Sequence, residues 1–249
     1  MNTMNLTKQK TIGLAALAVL MTGSVCISLM GNVANAVTQS TTSTASEKRL
    51  PVLISKGDQE ITRRLTTLTN LTSKINAATK LSDSDKTALT NEVSTTASDL
   101  TTLKTQLDSE TTLAGAKTDV QNIYSEYRVY ALVAPKVSLI KVADDQQAVE
   151  AKLTTLAQKL QGRITANQQA GKDVTSLQSQ LTDMTTNITT AQNISTAVEA
   201  SVIKLQPTDY NNDHTILSGY RDQLKTAHTD NHTAYSDAKA IVASLKNLK

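Results

Sequence analysis

Two histidines four residues apart form the clearest metal-binding pattern in this sequence of 249 residues. On a helix, His228 and His232 would lie one turn apart on the same face, the spacing at which two imidazoles chelate a metal. The intervening Asp230 does not supply the glutamate base of an H-E-x-x-H motif. His214 would lie about 21 Å from His228 along a helix, too far to act as a third ligand. We therefore predict solvated histidines and no metal cofactor.

The second chemical candidate is a short aromatic and basic stretch, the tyrosine segment. Its members are Tyr124, Tyr127, Arg128 and Tyr130. It holds half of the six tyrosines in a chain without Trp or Phe. At a surface, these rings would offer sugars or peptides a face for stacking. In the interior they would form a plug where a short helix meets the rest of the fold, and Arg128 would need an acidic partner such as Glu126 or Asp144. We favour the plug and keep the stacking surface as the alternative.

Patterns that carry catalysis are missing. Asp144 and Asp145 are adjacent, so on a helix their carboxyls point about 100° apart and cannot act as a glycosidase-like pair. The sequence contains no G-x-S-x-G, no H-E-x-x-H and no Walker loop. Its single cysteine excludes a disulfide scaffold. We therefore predict a protein that is not an enzyme and that needs no cofactor.

Composition indicates the elements that must position these residues. Eight glycines and three prolines are too few for the turns of a β-sandwich or for the loops of a nucleotide-binding α/β fold. Apolar residues instead recur in alternating steps of four and three, as on one face of a long helix. We predict an all-α fold, an elongated antiparallel helical bundle with coiled-coil-like packing. The expected helices cover about residues 58–80, 83–111, 114–126, 136–169, 174–205 and 213–247.

The apolar stripes differ in quality between helices. The clearest has ten positions without a slip: Val174, Leu177, Leu181, Met184, Ile188, Ala191, Ser195, Val198, Val202 and Leu205. The last helix has a stripe from Leu217 to Leu248 in which Asn231 falls on the apolar face, where a buried Asn can fix helix register. The first helix has the weakest stripe: Ile61, Leu65, Leu68, Thr72, Ile75 and Thr79.

Turn residues predict where helices end. Ser82, with Asp85 three residues later, resembles a capping box. Gly171 suits the left-handed position after a helix, and Asp173 can cap the helix that follows. The polar residues 207–213 are expected to form a turn.

The heptad pattern fails at residues 127–135. Pro135 suits the first turn of a new helix, and the residue before it, Ala134, is expected to be extended. We therefore predict a helix–break–helix crossing, with a buried strand as the alternative because Val and Tyr favour strands.

The N-terminal residues resemble a secretory signal. Lys8 and Lys10 precede the apolar run 12–30, and Ala34 and Ala36 supply the small residues before a signal peptidase cut. We predict a signal peptide over residues 1–36. The run is also long enough to span a bilayer, so an uncleaved anchor is the alternative. Cys26 follows Val25 rather than the small residue of a lipobox, so lipidation is not expected.

Residues 37–55 read as a Thr/Ser-rich linker, and residues 56–249 as the helical bundle domain. Removal of residues 1–36 takes away two lysines and no acid, so the formal net charge falls from +3 to +1. A chain this close to neutral has no basic footprint for nucleic acid. Threonine is unusually frequent, with 39 residues, and this excess suggests no function.

Three stretches carry a resemblance to known proteins: residues 81–86 (LSDSDK), 127–132 (YRVYAL) and 166–174 (ANQQAGKDV). With them the chain resembles uncharacterised secreted bacterial helical-bundle proteins over most of its length. The resemblance implies a secreted helical fold, and it implies no ligand, activity or catalytic residue.

Together these features predict a non-catalytic, secreted or cell-surface helical protein with a structural or interaction role. Its partner would be another protein or a second copy that packs on the heptad faces. One alternative is an extracytoplasmic protein that binds a small ligand or a metal beside Tyr127 and Pro135. A second alternative is a membrane-tethered protein held by an uncleaved residue 12–30 helix; without it, no stable membrane association is expected.

Overall fold

The fold was described from a computed structural model, which covers the backbone of residues 34–248 and the side chains of residues 47–248. The chain divides into two units, Met1–Thr42 and Ser43–Lys249. Over the described residues the second unit is an all-α helical bundle without strands, as predicted. The elements are α1 (Ala34–Ala77), α2 (Asp83–Asp108), α3 (Leu113–Ser125), a π-helix (Val129–Val133), α4 (Ala134–Gln169), α5 (Thr175–Val202), α6 (Pro207–Asn212) and α7 (Ile216–Asn247). None of the described helices combines the length and apolar character needed to cross a bilayer.

The start of the first helix was predicted wrongly. It begins at Ala34 rather than near residue 58, so the polar residues 37–55 are helical and include Pro51. Proline cannot donate the backbone hydrogen bond that this position would make, yet the helix continues through it. The apolar run 12–30 and Cys26 lie outside the described residues, so cleavage after Ala36 stays a prediction.

The buried face of α1 also differs from the predicted stripe. Arg64, Leu71 and Ala78 are buried with Ile61, Leu68 and Ile75, whereas Thr79 is exposed and Leu65 and Thr72 are only partly buried. The true stripe steps by three and four and contains no threonine. It was missed because it requires an arginine on the buried face, which is a rare environment for a charged residue.

The hairpin of α1 and α2 depends on a glycine. Helices α1 and α2 are joined by a short connection and run antiparallel, since Lys104 near the end of α2 forms an ion pair with Asp58 in α1 (Nζ–Oδ1 3.0 Å). Beside this pair, a Cβ atom on Gly57 would lie 2.4 Å from Leu107 Cδ2 and 2.9 Å from Val120 Cγ2. Only a residue without a side chain allows α1 to approach α2 and α3 this closely.

Gly57→Ala is therefore expected to lower the free energy of unfolding by about 1–2 kcal/mol through overpacking, although alanine favours a helix by about 1 kcal/mol. Gly162→Ala is the matched control, because Gly162 lies in α4 with nothing within 4 Å of its Cβ position. That control is expected to gain about 0.5–1 kcal/mol. Urea unfolding of both variants checks the comparison, and stabilisation by both would contradict close approach at Gly57.

Helices α4, α5 and α7 pack on one another along their lengths. The C-terminal part of α4 shares one apolar cluster with the N-terminal part of α5 and the C-terminal part of α7, so α5 runs antiparallel to the other two. All ten predicted stripe positions from Val174 to Leu205 are buried, which confirms the clearest heptad pattern. In α7, Asn231 is buried as predicted, whereas Tyr220 and Leu248 are only partly buried.

A polar layer separates two apolar clusters along these three helices. The layer consists of Gln146, Glu150, Ser195 and Asn231, all buried. Glu150 Oε1 accepts hydrogen bonds from Ser195 Oγ (2.9 Å) and Asn231 Nδ2 (3.2 Å). Glu150 Oε2 and Asn231 Oδ1 have no hydrogen-bond partner among the described residues. Burial raises the pKa of Glu150, opposed by these two hydrogen bonds, because no cation offsets its charge.

The break in the heptads lies within the predicted residues 127–135, but at Arg128 rather than at Ala134. Arg128 adopts left-handed backbone dihedrals (φ 37°, ψ 35°) and is followed at once by the π-helix. Ala134 is helical (φ −67°) rather than extended, so α4 begins directly at this residue. The strand alternative is wrong, and residues 207–213 contain the short helix α6 rather than only a turn.

The structure tests the predictions for three helix ends, those at Gly171, Asp173 and Ser82. Gly171 has φ +75° just beyond α4, and the Asp173 carboxylate accepts the Thr175 N–H at the start of α5 (3.0 Å). Ser82 caps α2 by accepting the Asp85 N–H (3.1 Å). In a complete capping box the Asp85 carboxylate would accept the Ser82 N–H. Here that N–H donates instead to Asp144 Oδ2 in α4 (2.8 Å).

The structure shows how the helices accommodate threonine. Eighteen threonine hydroxyls donate to the carbonyl four residues earlier in the same helix. This back-bonding satisfies the hydroxyl without a partner outside the helix. It accounts for the tolerance of threonine and assigns it no function.

Candidate functional site

Two of the predicted tyrosines lie at the surface beside a buried arginine. The Arg64 guanidinium carbon is 4.7 Å from the centre of the Tyr124 ring and 5.1 Å from the centre of the Tyr130 ring. Tyr124 is 45% exposed and Tyr130 is 49% exposed, whereas Arg64 is 5% exposed. The plug prediction is therefore wrong for these two rings. We call Arg64, Tyr124 and Tyr130 the Tyr–Arg surface.

The position of Arg64 is fixed from within α1. Its Nη1 donates to Glu60 Oε2 (2.8 Å) and to the Glu60 carbonyl (3.0 Å), while its buried Nε has no partner in the part of the chain that the structure describes. A guanidinium held over aromatic rings gains cation–π attraction, which increases as water is excluded. Arg64 in α1 thus holds both rings at the surface. Tyr124 comes from α3, before Arg128, and Tyr130 comes from the π-helix that follows Arg128.

The other members of the tyrosine segment point elsewhere. Tyr127 packs against the main apolar cluster, and its hydroxyl donates to the Asp99 carbonyl (3.5 Å). Burial, with smaller effects from Asp99 and Glu126, raises the pKa of Tyr127. For Tyr127 alone, the plug describes the structure.

Arg128 has a neutral partner rather than the predicted acid. Its Nε donates to Asn211 Oδ1 (2.7 Å), and its guanidinium carbon lies 5.5 Å from the centre of the Tyr210 ring. Asn211 Nδ2 in turn donates to the Ser125 carbonyl at the end of α3 (3.0 Å). The suggestions of Glu126 and Asp144 are therefore wrong. Asn211 holds a backbone conformation that costs a non-glycine residue about 1 kcal/mol or more.

A groove adjoins the Tyr–Arg surface. It has a volume of about 250 Å³ and lies between α1 and α4, with Asn70, Lys74, Val137 and Lys141 among its lining residues. Thr67, another lining residue, is linked to the Tyr130 hydroxyl by a hydrogen bond of 3.5 Å. Exposed rings, a strained backbone and a π-helix thus meet at one edge of the bundle, and π-helical turns are frequent at functional sites.

Three acids meet where α2, α4 and α5 pack. One carboxylate oxygen each of Asp85, Asp144 and Glu199 lies within 4.8 Å of the others. Asp85 and Asp144 are buried, and Gln147 Nε2 donates to Glu199 Oε2. Burial, with smaller contributions from Asp85 and Glu199, raises the pKa of Asp144 to about 6, and the hydrogen bond from the Ser82 N–H opposes the shift. Asp144 therefore holds a proton at mildly acidic pH.

This raised pKa has a consequence for stability. Asp144 binds its proton more tightly in the folded than in the unfolded chain, so protonation of Asp144 adds to the free energy of unfolding. This stabilisation is complete below about pH 4 and is lost as the pH rises through about 6. Asp144→Asn keeps an acceptor for the Ser82 N–H and removes the charge. We expect it to raise the free energy of unfolding at about pH 8 by roughly 1–2 kcal/mol, and to have little effect near pH 4.

Urea unfolding at several pH values measures this difference. Asp145→Asn is the control, because Asp145 is half-exposed and pairs with Lys141 at the surface (2.6 Å); it is expected to give a small loss and no gain at high pH. A pH profile of Asp144→Asn that parallels the parent would contradict the role of Asp144.

The structure also locates the remaining predicted candidates. His228 and His232 are both exposed on α7, and His214 is exposed with its ring 5.0 Å from that of Tyr210. Asp144 and Asp145 point to different partners, as their spacing predicted. The residue that sequence reasoning missed is Arg64; the signal that could have found it is the alternative stripe of α1 with steps of three and four.

Comparison with protein-family models, with curated protein sequences and with solved structures found no match. The resemblance to secreted bacterial helical proteins therefore stays a prediction. The function must be inferred from the side chains of the chain itself.

Proposed function

We propose that the chain is a non-catalytic, secreted or cell-surface helical protein that binds a partner protein through the Tyr–Arg surface. The observation that carries this proposal is the pair of half-exposed rings fixed by the buried Arg64. Tyrosine and arginine are enriched at protein interfaces because they bury a large apolar area and keep polar groups for the partner. Rigid rings also lose little conformational entropy on binding.

Two further observations support this site over the heptad faces as the contact surface. The stripe residues of α5 are already buried within the chain, so a partner would have to displace helices to reach them. The backbone strain at Arg128 is held by Asn211 beside the tyrosines, and strain maintained by specific contacts is typical of functional positions.

A photocrosslinking experiment on intact cells tests the proposal. A benzophenone amino acid would replace Tyr130 in one variant and Tyr235 in the control, since Tyr235 is similarly exposed (53%) but lies on α7. We expect a discrete adduct from position 130 and none of the same mass from position 235. The adduct should disappear when Arg64→Met is added, with the fold checked by circular dichroism.

The outcomes are distinct. An identical adduct from both positions would indicate nonspecific contact and contradict the proposal, as would an adduct that persists in Arg64→Met. Edman or mass analysis of the mature chain tests secretion separately, because cleavage after Ala36 predicts Val37 as the first residue.

A second candidate function is the binding of a small extracytoplasmic ligand. The groove between α1 and α4 favours it, because the groove is concave, about 250 Å³ in volume, and lined by both apolar residues and Lys74. Loss of ligand binding in Lys74→Ala, with crosslinking at position 130 unchanged, would favour this candidate over a protein partner.

A further inference from the structure

A basic groove lies on α1 and α3, well separated from the Tyr–Arg surface. Its cations are Lys48, Arg49, Lys56 and Lys117, and its apolar floor is Val52, Leu53 and Leu113. Its volume is about 500 Å³. The distance along α1 from Val52 to Arg64 is about 18 Å, so the two surfaces can be tested independently.

The four cations of the groove lack acidic partners among the described residues. None forms an ion pair within the described residues, whereas Lys104, Lys136 and Lys141 all do. None of the residues that line the groove is acidic. This charge is local, since the whole chain carries a formal net charge of only +3.

The floor of the groove is also unusual. Val52 is 54% exposed, the largest exposure of any aliphatic side chain among the described residues that are classed as large and exposed. It lies one turn from Lys48 and one turn from Lys56 on the same face of α1. An apolar side chain surrounded by cations on a helix surface is typical of helices that lie at a lipid headgroup boundary.

We propose that the basic groove binds the surface of an anionic lipid bilayer. Phosphate groups would contact the four cations, and Val52 would enter the boundary between headgroups and acyl chains. An anionic bilayer is favoured over an acidic peptide because the four cations surround an exposed apolar side chain, Val52, which a peptide of charged residues would leave in water. The proposal is independent of the Tyr–Arg surface.

Binding is tested with the full chain and two kinds of vesicle, one of phosphatidylcholine alone and one in which phosphatidylglycerol replaces part of it. Lys8 and Lys10 beside the apolar run would also favour the anionic vesicles, so the groove is measured by the loss of affinity in a variant that lacks its four cations. The variant Lys48→Ser/Arg49→Ser/Lys56→Ser/Lys117→Ser is expected to lower the affinity for anionic vesicles at least about 20-fold. The charge-matched control Lys152→Ser/Lys159→Ser/Arg163→Ser/Lys225→Ser removes four exposed cations elsewhere and should change the affinity little.

A fluorescence experiment tests the position of Val52 directly. Because the chain has no Trp, Val52→Trp and Tyr235→Trp each introduce a single reporter at a similarly exposed site. Emission of Val52→Trp should shift to the blue on anionic vesicles but not on neutral ones, and added salt should reverse the shift. Emission of Tyr235→Trp should not change.

Four results would overturn the proposal. The first three are unshifted emission of Val52→Trp on anionic vesicles, equal losses in the two four-cation variants, and a shift produced equally well by inorganic phosphate without vesicles. A shift with an acidic peptide but none with vesicles would also overturn it and would assign the groove to a protein partner. None of these results affects the crosslinking test of the Tyr–Arg surface.

Discussion

Replacing Lys136 by alanine is expected to lower the free energy of unfolding by about 3–5 kcal/mol, because the Glu92 carboxylate would then lose its cation. Lys136 is fully buried at the start of α4. Its ammonium donates to Glu92 Oε1 (2.7 Å), to Glu92 Oε2 (2.9 Å) and to the Leu205 carbonyl (2.6 Å). These three bonds satisfy the whole ammonium and join α2, α4 and the end of α5.

Urea unfolding with matched variants separates charge from packing. Lys141→Ala breaks an exposed ion pair within α4 and is expected to cost at most about 1 kcal/mol. Lys136→Met/Glu92→Leu replaces the pair by apolar side chains and should recover much of the loss, because buried ion pairs are often replaceable in this way. Equal effects of Lys136→Ala and Lys141→Ala would show that the pair does not hold α4 in place.

Asn231→Asp is expected to give the largest pH-dependent loss, roughly 3 kcal/mol at about pH 8, which corresponds to a shift of about two pKa units. In the unsubstituted chain, Asn231 Nδ2 donates to Glu150 Oε1 in the polar layer (3.2 Å). The substitution replaces that donor by a second carboxyl beside a buried one whose pKa is already raised by burial. The facing groups from the other helices are Ser195 and Gln146, which carry no positive charge to offset it.

The sign of the pH dependence follows from the raised pKa values. The two carboxyls would share one proton at low pH, so the loss should be small there and grow as the pH rises. The control is Asn187→Asp, which also places a carboxyl beside another one, Asp237, but at a partly exposed position. Solvent screening should keep its cost below about 1 kcal/mol at either pH. A pH-independent loss in Asn231→Asp would indicate lost packing rather than buried charge.

The sequence was sufficient wherever one helix buries a regular apolar stripe. In and beside α5, each of the ten stripe positions from Val174 to Leu205 is apolar or small, so helical periodicity alone identified the buried face. Gly171 was predictable for a similar reason, since its left-handed conformation costs glycine little and other residues more.

Prediction failed where a polar or charged residue occupies the buried face. The stripe of α1 was shifted because Arg64 is buried, and burial of an arginine depends on Glu60, Tyr124 and Tyr130 arriving around it. In the same way, the partner of the Ser82 N–H lies 62 residues away in α4, and the partner of Arg128 lies 83 residues away in α6. Local spacing carries no information about such contacts.

By itself, the sequence determined the all-α bundle, the buried stripe of α5, and the segment in which the heptads fail. Those features depend on the periodicity of side chains along one helix, which is local. Only the tertiary structure decided that Tyr124 and Tyr130 are exposed, that Arg64 lies between them, and that Lys48 and Lys117 border one groove. Each of those facts requires two distant segments to pack against each other, and the burial of a polar group is stable only when both have done so.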